Sequence, residues 1–175
     1  MVSERMDGTV EVPCPIAEAY WVVPGRLLAG PYPGSFEPAR TQARLERFLA
    51  AGITVFVDLT GEGEDTPYAP LLAGRARHVR MSIPDLGVCW PDRMREILDV
   101  VDLALAMRKG VYVHCLAGLG RTGMVVGCYL VRHGTPGGEA LMALKELRRT
   151  SSLGEYASPE TDAQRAMVLT WKADR

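Results

Sequence analysis

One short stretch of the sequence combines a thiol, a guanidinium and several glycines at spacings that suit chemistry on an anion. Cys115 is followed by five neutral residues and then by Arg121 and Thr122. A glycine-rich turn between a strand and a helix directs successive N–H groups into one concavity at the helix N-terminus, where an anion is bound. The same surroundings favour a thiolate over a thiol. Cys115 is therefore predicted to be a nucleophile.

The rest of the stretch is predicted to bind the anion. The planar guanidinium of Arg121 can donate two parallel hydrogen bonds to a phosphate, which a lysine cannot do. The glycines allow positive φ and close backbone approach, and the Thr122 hydroxyl is expected to donate to the Cys115 sulfur when that sulfur leaves. The predicted phosphate-binding residues are Leu116, Ala117, Gly118, Leu119, Gly120 and Arg121.

Other interpretations of this stretch fit less well. Residues 118–123 also match the G-x-G-x-x-G dinucleotide motif, which needs a strand ending in an acidic residue about 20 positions later; that segment is predicted to be a helix. A nucleoside-triphosphate loop needs Lys-Ser/Thr after its last glycine, and the sequence lacks it. The structural alternative is that Cys115 is a small apolar residue buried in a tight turn.

The string from His114 to Gly123 resembles the Cys-x5-Arg-Ser/Thr loop of the cysteine-dependent protein phosphatases and is most similar to their small dual-specificity group. The resemblance implies hydrolysis of phosphate monoesters through a phosphocysteine intermediate, without metal or cofactor. It also implies a general acid about thirty residues before the cysteine, where Asp85 lies. Gln164 is expected to orient the attacking water, with an exposed position on the last helix as the equal alternative, and His114 is expected to hold the loop.

A second aspartate competes with Asp85 for the role of acid. Trp90-Pro91-Asp92 matches the Trp-Pro-Asp motif that gives its name to the acid-bearing loop of the tyrosine-specific phosphatases in this superfamily. Asp92 is expected at the start of a helix, where a carboxylate interacts with free N–H groups and the helix dipole. Asp85 instead follows a predicted strand directly and reaches the same sheet edge as Cys115. The sequence therefore favours Asp85.

Predicted strands and helices alternate along the chain. Strands are expected at 21–23, 26–30, 53–59, 78–83 and 111–114, and helices at 38–51, 91–108, 122–131, 135–147 and 159–171. Single strands separated by helices indicate an α/β fold with a mostly parallel central sheet of about four to five strands and helices on both faces. Functional sites in such sheets lie at the carboxyl ends of the strands, where the Cys115 loop falls.

Length and charge restrict the functional class. A chain of 175 residues predicts a loosely ordered arm at 1–20 and a single catalytic domain at 21–175. A net charge of −1 gives no general attraction to nucleic acid or to an anionic membrane. Without an apolar N-terminal segment or a membrane-spanning run, the expected location is the cytoplasm. The oligomeric state is left open.

The sequence predicts structural roles, without catalysis, for the cysteines other than Cys115 and for one acidic loop. Four cysteines without a secretion signal are expected to be reduced thiols. Cys128 is predicted to pack in the core, with a reversible disulfide to Cys115 under oxidation as the minor alternative. The three carboxylates of residues 61–65 are predicted to form a solvated turn, since their spacing matches no calcium loop.

The favoured function is hydrolysis of phosphotyrosine on protein, with phosphoserine and phosphothreonine as further targets. The neutral loop side chains offer no extra positive charge to a polyanion, so an inositol phosphate or phosphoinositide is the alternative substrate. A phosphopeptide-binding module without turnover and a sulfurtransferase of the rhodanese type are the competing classes. The Arg-Thr-Gly ending and the upstream aspartate argue against both.

Overall fold

The computed structural model describes residues 12–172, and its centre is a five-stranded sheet in the order β1-β2-β5-β3-β4. The strands are β1 (Tyr20–Val23), β2 (Leu27–Gly30), β3 (Ile53–Asp58), β4 (Arg77–Arg80) and β5 (Gly110–His114). Strand β1 pairs antiparallel with β2 at one edge, and the other neighbours are parallel. The predicted α/β class and the mostly parallel sheet are confirmed.

Five α-helices and one short 3₁₀ helix cover the two faces of the sheet. They are α1 (Pro38–Ala50), α2 (Pro91–Ala106), α3 (Gly120–Arg132), α4 (Gly137–Leu147) and α5 (Asp162–Thr170), with the 3₁₀ helix at Ala69–Leu72. Helix α1 and the 3₁₀ helix pack on an aromatic cluster that includes Phe48, Phe56 and Tyr112. Helices α2 to α5 share the larger core on the opposite face. None of the helices in this part of the chain is long and apolar enough to cross a bilayer.

The strand register brings three chain segments to one edge of the sheet. Strand β5 is buried along its whole length, as its apolar sequence predicts for a central parallel strand. In the strand register, Asp58 at the end of β3 lies opposite His114 at the end of β5 and opposite Arg80 at the end of β4. Because parallel strands end at the same edge, the loops that follow these three residues lie side by side.

Most boundaries lie within two residues of the sequence predictions, and the larger differences are in β4, in α5 and at the N-terminal arm. Strand β4 ends at Arg80, although the N–H groups of Met81 and Ile83 still donate to the backbone of the β3 segment. Helix α5 begins at Asp162 because Thr161 and Gln164 form a capping box. Ile16 and Ala19, within the predicted arm, have buried side chains. Residues 1–11 of that arm lie outside the described residues.

Candidate active site

The loop between β5 and α3 forms a cradle around the Cys115 sulfur. Cys115 follows the last residue of β5 and is buried, and the N–H of Gly118 donates to its Sγ at 3.3 Å. Gly118 has a φ of +76°, and a Cβ at this position would lie 2.5 Å from the backbone of Gly30. Both the left-handed backbone and the close approach of β2 require glycine here. The geometry confirms the predicted turn between strand and helix.

Gln164 closes the cradle from the side of α5. A Cβ on Gly120 would lie within about 3 Å of both terminal atoms of the Gln164 side chain, so glycine allows the amide to lie against the loop. The Gln164 Nε2 donates to the Gly87 carbonyl at 3.1 Å, and its Oε1 accepts from the Thr161 N–H. This buried side chain therefore joins the helix cap to the loop that carries Asp85. The exposed alternative for Gln164 is wrong, while its role towards water stays a prediction.

Arg121 lies at the centre of the site, and its side chain is almost fully buried. Its Nη1 donates to the carbonyls of Leu59 and Ile83, at the ends of the β3 and β4 segments. Both terminal nitrogens also donate to Glu64, each at 2.9 Å. Asp85 Oδ1 lies 3.0 Å from Nη2. The guanidinium is thus held against the sheet edge, with its Nη2 side towards the loop of Asp85.

Glu64 is the residue that the sequence interpretation missed. Residues 61–65 were expected to form a solvated turn, and that prediction is wrong for Glu64, whose carboxylate forms a bidentate ion pair with Arg121. Partial burial acts to raise the pKa of Glu64, but the hydrogen bonds from Arg121 and from the Gly61 N–H outweigh it and lower that pKa. The position of Glu64 in the chain could have indicated this contact, because Glu64 follows β3 in a loop at the same sheet edge as Cys115.

The two aspartates occupy different surroundings. Asp85 lies in the turn after the β4 segment, at the sheet edge that the sequence predicted, and its carboxylate also reaches Arg121. Asp92 lies in the first turn of α2, also as predicted, but it is exposed, pairs with Arg95 and makes no capping hydrogen bond. The turn of Asp85 contains Leu86 at a φ of +55°, a conformation that costs free energy for a residue with a side chain. The structure brings Asp85 to the cradle and leaves Asp92 on the helix surface.

The Thr122 hydroxyl has a different partner from the one expected. It is fully buried and donates to the Gly30 carbonyl at 3.4 Å, which ties the start of α3 to β2. The Cys115 sulfur accepts instead from the N–H of Gly118. Donation from Thr122 to the sulfur during turnover stays a prediction.

A buried polar layer lies directly beneath the cradle. The Asp58 carboxylate accepts from Thr60 and lies 2.8 Å from His78 Nε2 and 3.2 Å from Arg80 Nη2. His114 is within hydrogen-bond distance of the Cys115 carbonyl through Nδ1 and of the Tyr68 hydroxyl through Nε2. Because a carbonyl can only accept, Nδ1 carries the proton and Nε2 accepts from Tyr68. This neutral ring supports the predicted role of His114 in holding the loop.

Burial and hydrogen bonding fix the charge states of this layer. Burial lowers the pKa of His114 to about 4, although Asp58 nearby acts in the opposite direction. Burial alone would raise the pKa of Asp58, but hydrogen bonds from His78 and Thr60 hold it well below its usual range. The layer therefore contains a neutral imidazole beside a carboxylate whose charge is balanced by Arg80.

Cys89 and Cys128 form no disulfide. Cys128 packs in the larger core, as predicted, and burial raises its pKa far above the usual range. Burial also raises the pKa of Cys89 to about 11. Within residues 12–172, no three His, Cys, Asp or Glu side chains are arranged to hold a metal ion. The group that the cradle suits is an anion.

Known proteins and a protein family resemble this chain in sequence. The sequence model of a family described as "Polymorphic toxin system, DSP-PTPase phosphatase" matches residues 33–135. The dual specificity protein phosphatase CDC14B of Mus musculus is 28% identical over 120 residues, which cover 65% of this chain and 24% of that protein. The chain thus spans about a quarter of that relative.

Solved structures share the fold. The structure of Tk-PTP in its active form superposes with a TM-score of 0.71 at 24% identity, covering 86% of this chain and 93% of the other. The structure of PTPMT1 in complex with PI(5)P gives a TM-score of 0.67 at 19% identity, covering 87% and 93%. The family match extends over more than half of the sequence and includes the whole Cys115 loop. The chain therefore belongs to the DSP-PTPase phosphatases, the dual-specificity type of cysteine-dependent phosphatase that its sequence resembles.

Proposed function

We propose that this protein removes phosphate from phosphorylated tyrosine on protein, with phosphoserine and phosphothreonine as further substrates, through a covalent phosphocysteine. The observation that carries the proposal is the convergence of three functional groups at one sheet edge. The Cys115 sulfur lies in the cradle with Gly118, and Asp85 is 3.0 Å from the guanidinium of Arg121. A nucleophile, an anion-binding group and an acid are the parts that this reaction requires.

Substrate binding uses the side of Arg121 that faces the cradle. Nη1 donates to two carbonyls and to Glu64, while Nη2 donates to Glu64 and lies beside Asp85, so a phosphate bound along the edge of Nε and Nη2 takes the position of Asp85. An incoming phosphate oxygen therefore displaces the Asp85 carboxylate from the guanidinium. This displacement frees Asp85 to turn towards the leaving group.

The first chemical step forms an S–P bond and breaks the P–O bond to the substrate. The Cys115 thiolate attacks phosphorus, and Asp85, which takes up a proton from solvent after it leaves the guanidinium, gives that proton to the departing phenolate or alkoxide. In the second step a water attacks phosphorus, its proton goes to Asp85, and the S–P bond breaks. The products are the dephosphorylated residue, inorganic phosphate and the regenerated thiolate. In this mechanism Gln164, whose side chain lies against Gly120, orients the water, and the Thr122 hydroxyl turns from the Gly30 carbonyl to stabilise the departing sulfur.

The loop side chains support an aryl phosphate as substrate. Leu116, Ala117 and Leu119 are neutral, so Arg121 supplies the positive charge of the pocket floor. One guanidinium and the loop amides match one phosphate group. An inositol phosphate or phosphoinositide, with several phosphates, is the alternative substrate class.

Hydrolysis of an aryl phosphate by the purified protein tests the proposal. Turnover is expected without added metal, in the presence of a chelator and with inhibition by vanadate. Cys115→Ser and Arg121→Ala are expected to abolish it, whereas Cys14→Ser, on an exposed thiol, serves as the matched control with normal turnover. Full activity in Cys115→Ser would overturn the mechanism. Consumption of thiosulfate without phosphatase activity would indicate sulfurtransfer, and tight phosphopeptide binding without turnover would indicate a binding module.

A further inference from the structure

Four chain segments border the cradle, and together they are called the rim. They are residues 31–37, 61–66, 84–90 and 157–162. The first is tied to the cradle by the Tyr32 N–H, which donates to the Leu116 carbonyl at 3.0 Å. The second and third reach Arg121 through Glu64 and Asp85. The fourth is tied by the Ser158 hydroxyl, which donates to the Leu119 carbonyl at 2.7 Å.

All charged residues in the rim are acidic. Its segments contain seven of the 21 acidic residues of the chain and no lysine or arginine: Glu37, Glu62, Glu64, Asp65, Asp85, Glu160 and Asp162. The chain as a whole is nearly neutral, with 20 basic residues. The negative charge around the cradle is therefore a local feature, which the overall composition conceals.

The neighbouring basic residues offset only part of this charge, since Arg165 pairs with one rim carboxylate, Asp162, and Arg80 and Arg93 pair with acids outside the rim. Arg121 is contacted by two carboxylates, Glu64 and Asp85. The cradle can bind the phosphate of a substrate, but the surface surrounding it is negative at neutral pH.

The rim also exposes apolar side chains next to these carboxylates. Phe36 is 90% exposed and Trp90 84% exposed, and Leu86 and Leu116 are exposed as well. Large apolar side chains at the mouth of a site favour contact with a polypeptide chain. An anionic bilayer would be repelled by the carboxylates among them.

We propose that this site selects phosphorylated peptides with lysine or arginine beside the phosphorylated residue, and rejects esters that carry additional phosphates. The inference rests on the proposed function, because the cradle supplies phosphate binding and the rim supplies the selectivity. Basic side chains on either side of the phosphorylated residue would lie over Glu62, Asp65 and Glu160. Additional phosphates would meet the same three carboxylates and be repelled.

Three phosphotyrosine peptides that differ only in their flanking residues test the proposal. The flanks are lysine and arginine, alanine, or glutamate, and a simple aryl phosphate without flanks gives the baseline. We expect kcat/KM to be roughly 10-fold higher for the basic peptide than for the alanine peptide at low ionic strength, because several exposed charge pairs act together. The acidic peptide should be the poorest, and the differences should shrink as salt is added.

Two triple variants with the same change in net charge distinguish the effect of the rim carboxylates from the effect of net charge alone. Glu62→Gln, Asp65→Asn and Glu160→Gln combined should bring the three peptides to nearly equal kcat/KM and leave turnover of the aryl phosphate unchanged. Glu96→Gln, Glu139→Gln and Glu146→Gln combined change the net charge equally on helices α2 and α4, outside the rim, and should preserve the preference.

The outcomes distinguish this inference from the proposed function. Turnover of the aryl phosphate with equal rates on the three peptides would overturn the charge selectivity and leave the phosphatase intact. Faster turnover of an inositol polyphosphate, or of phosphoinositide in anionic vesicles, would overturn it as well. If no substrate is turned over, calorimetric binding of the same peptides to Cys115→Ser decides: tighter binding of the basic peptide supports the rim, and equal binding contradicts it.

Discussion

Two layers of charge lie at the same sheet edge and are built differently. In the upper layer, Arg121 binds Glu64, which is 26% exposed, and Asp85, which is 62% exposed. In the lower layer, Asp58 and His114 are completely buried, and Asp58 has partners on two strands. Exposed ion pairs exchange readily with water, whereas a buried carboxylate depends on its fixed partners. We therefore propose that the upper layer serves turnover and the lower layer serves stability.

The largest effect on catalysis should come from Asp85, the more exposed of the two carboxylates in the upper layer. Asp85→Asn is expected to lower kcat on a phosphate ester with a poor leaving group by about 10²- to 10⁴-fold, the usual contribution of general acid catalysis. The loss should shrink on a good leaving group, which needs less protonation. Steady-state kinetics on two leaving groups measures both effects.

Asp92→Asn is the control for Asp85, because it alters an exposed carboxylate on the first turn of α2. Its kcat and its unfolding midpoint should stay close to those of the unaltered protein. If Asp92→Asn removed the acid limb of the pH–rate profile while Asp85→Asn kept it, the assignment of the acid would be reversed.

The lower layer should control stability at acidic pH. Burial lowers the pKa of His114 from 6.5 to about 4, so between these values the unfolded chain binds a proton that the folded protein does not. Stability should therefore fall as the pH drops below 6.5, by up to about 3 kcal/mol near pH 4. Asp58 adds to the loss below pH 4, since its pKa is depressed and its stabilising charge disappears only there. Denaturant unfolding at a series of pH values measures this dependence.

His114→Asn should flatten that dependence between pH 6.5 and 4.5, even if the variant is less stable at pH 7. His133→Asn is the matched control, because His133 lies half exposed beside Asp102 on the helical face. The control should retain the original slope. An unchanged slope in His114→Asn would contradict a neutral, buried imidazole beneath the cradle.

A smaller effect is expected for Glu64, the less exposed carboxylate of the upper layer. Glu64→Gln removes the charge that holds both terminal nitrogens of Arg121, and kcat/KM should fall by roughly 10-fold because the guanidinium is less well positioned. Glu62→Gln, two residues earlier in the same loop, leaves that ion pair intact and should keep the activity on an aryl phosphate. Equal activity of the two variants would show that Glu64 does not position Arg121.

The sequence by itself determined the cradle, because its parts are close along the chain. The nucleophile, the glycines and Arg121 lie within seven consecutive residues, and one strand–turn–helix connection fixes their geometry. Asp85 could be assigned as well, since it follows a predicted strand and parallel strands end at a common edge. Asp92 could be rejected as the acid, because its predicted position in the first turn of a helix already explained the presence of a carboxylate there.

Only the tertiary structure decided which distant side chains meet. Glu64 precedes Arg121 by 57 positions, and their ion pair depends on the adjacency of β3 and β5 in the sheet. Gln164 reaches the loop of Asp85 because α5 packs on α3, although the Thr-x-x-Gln capping box was visible in the sequence. Local motifs are fixed by backbone geometry over a few residues. Pairings between loops are fixed only when the core brings their strands and helices together, and periodicity along the chain carries no information about that choice.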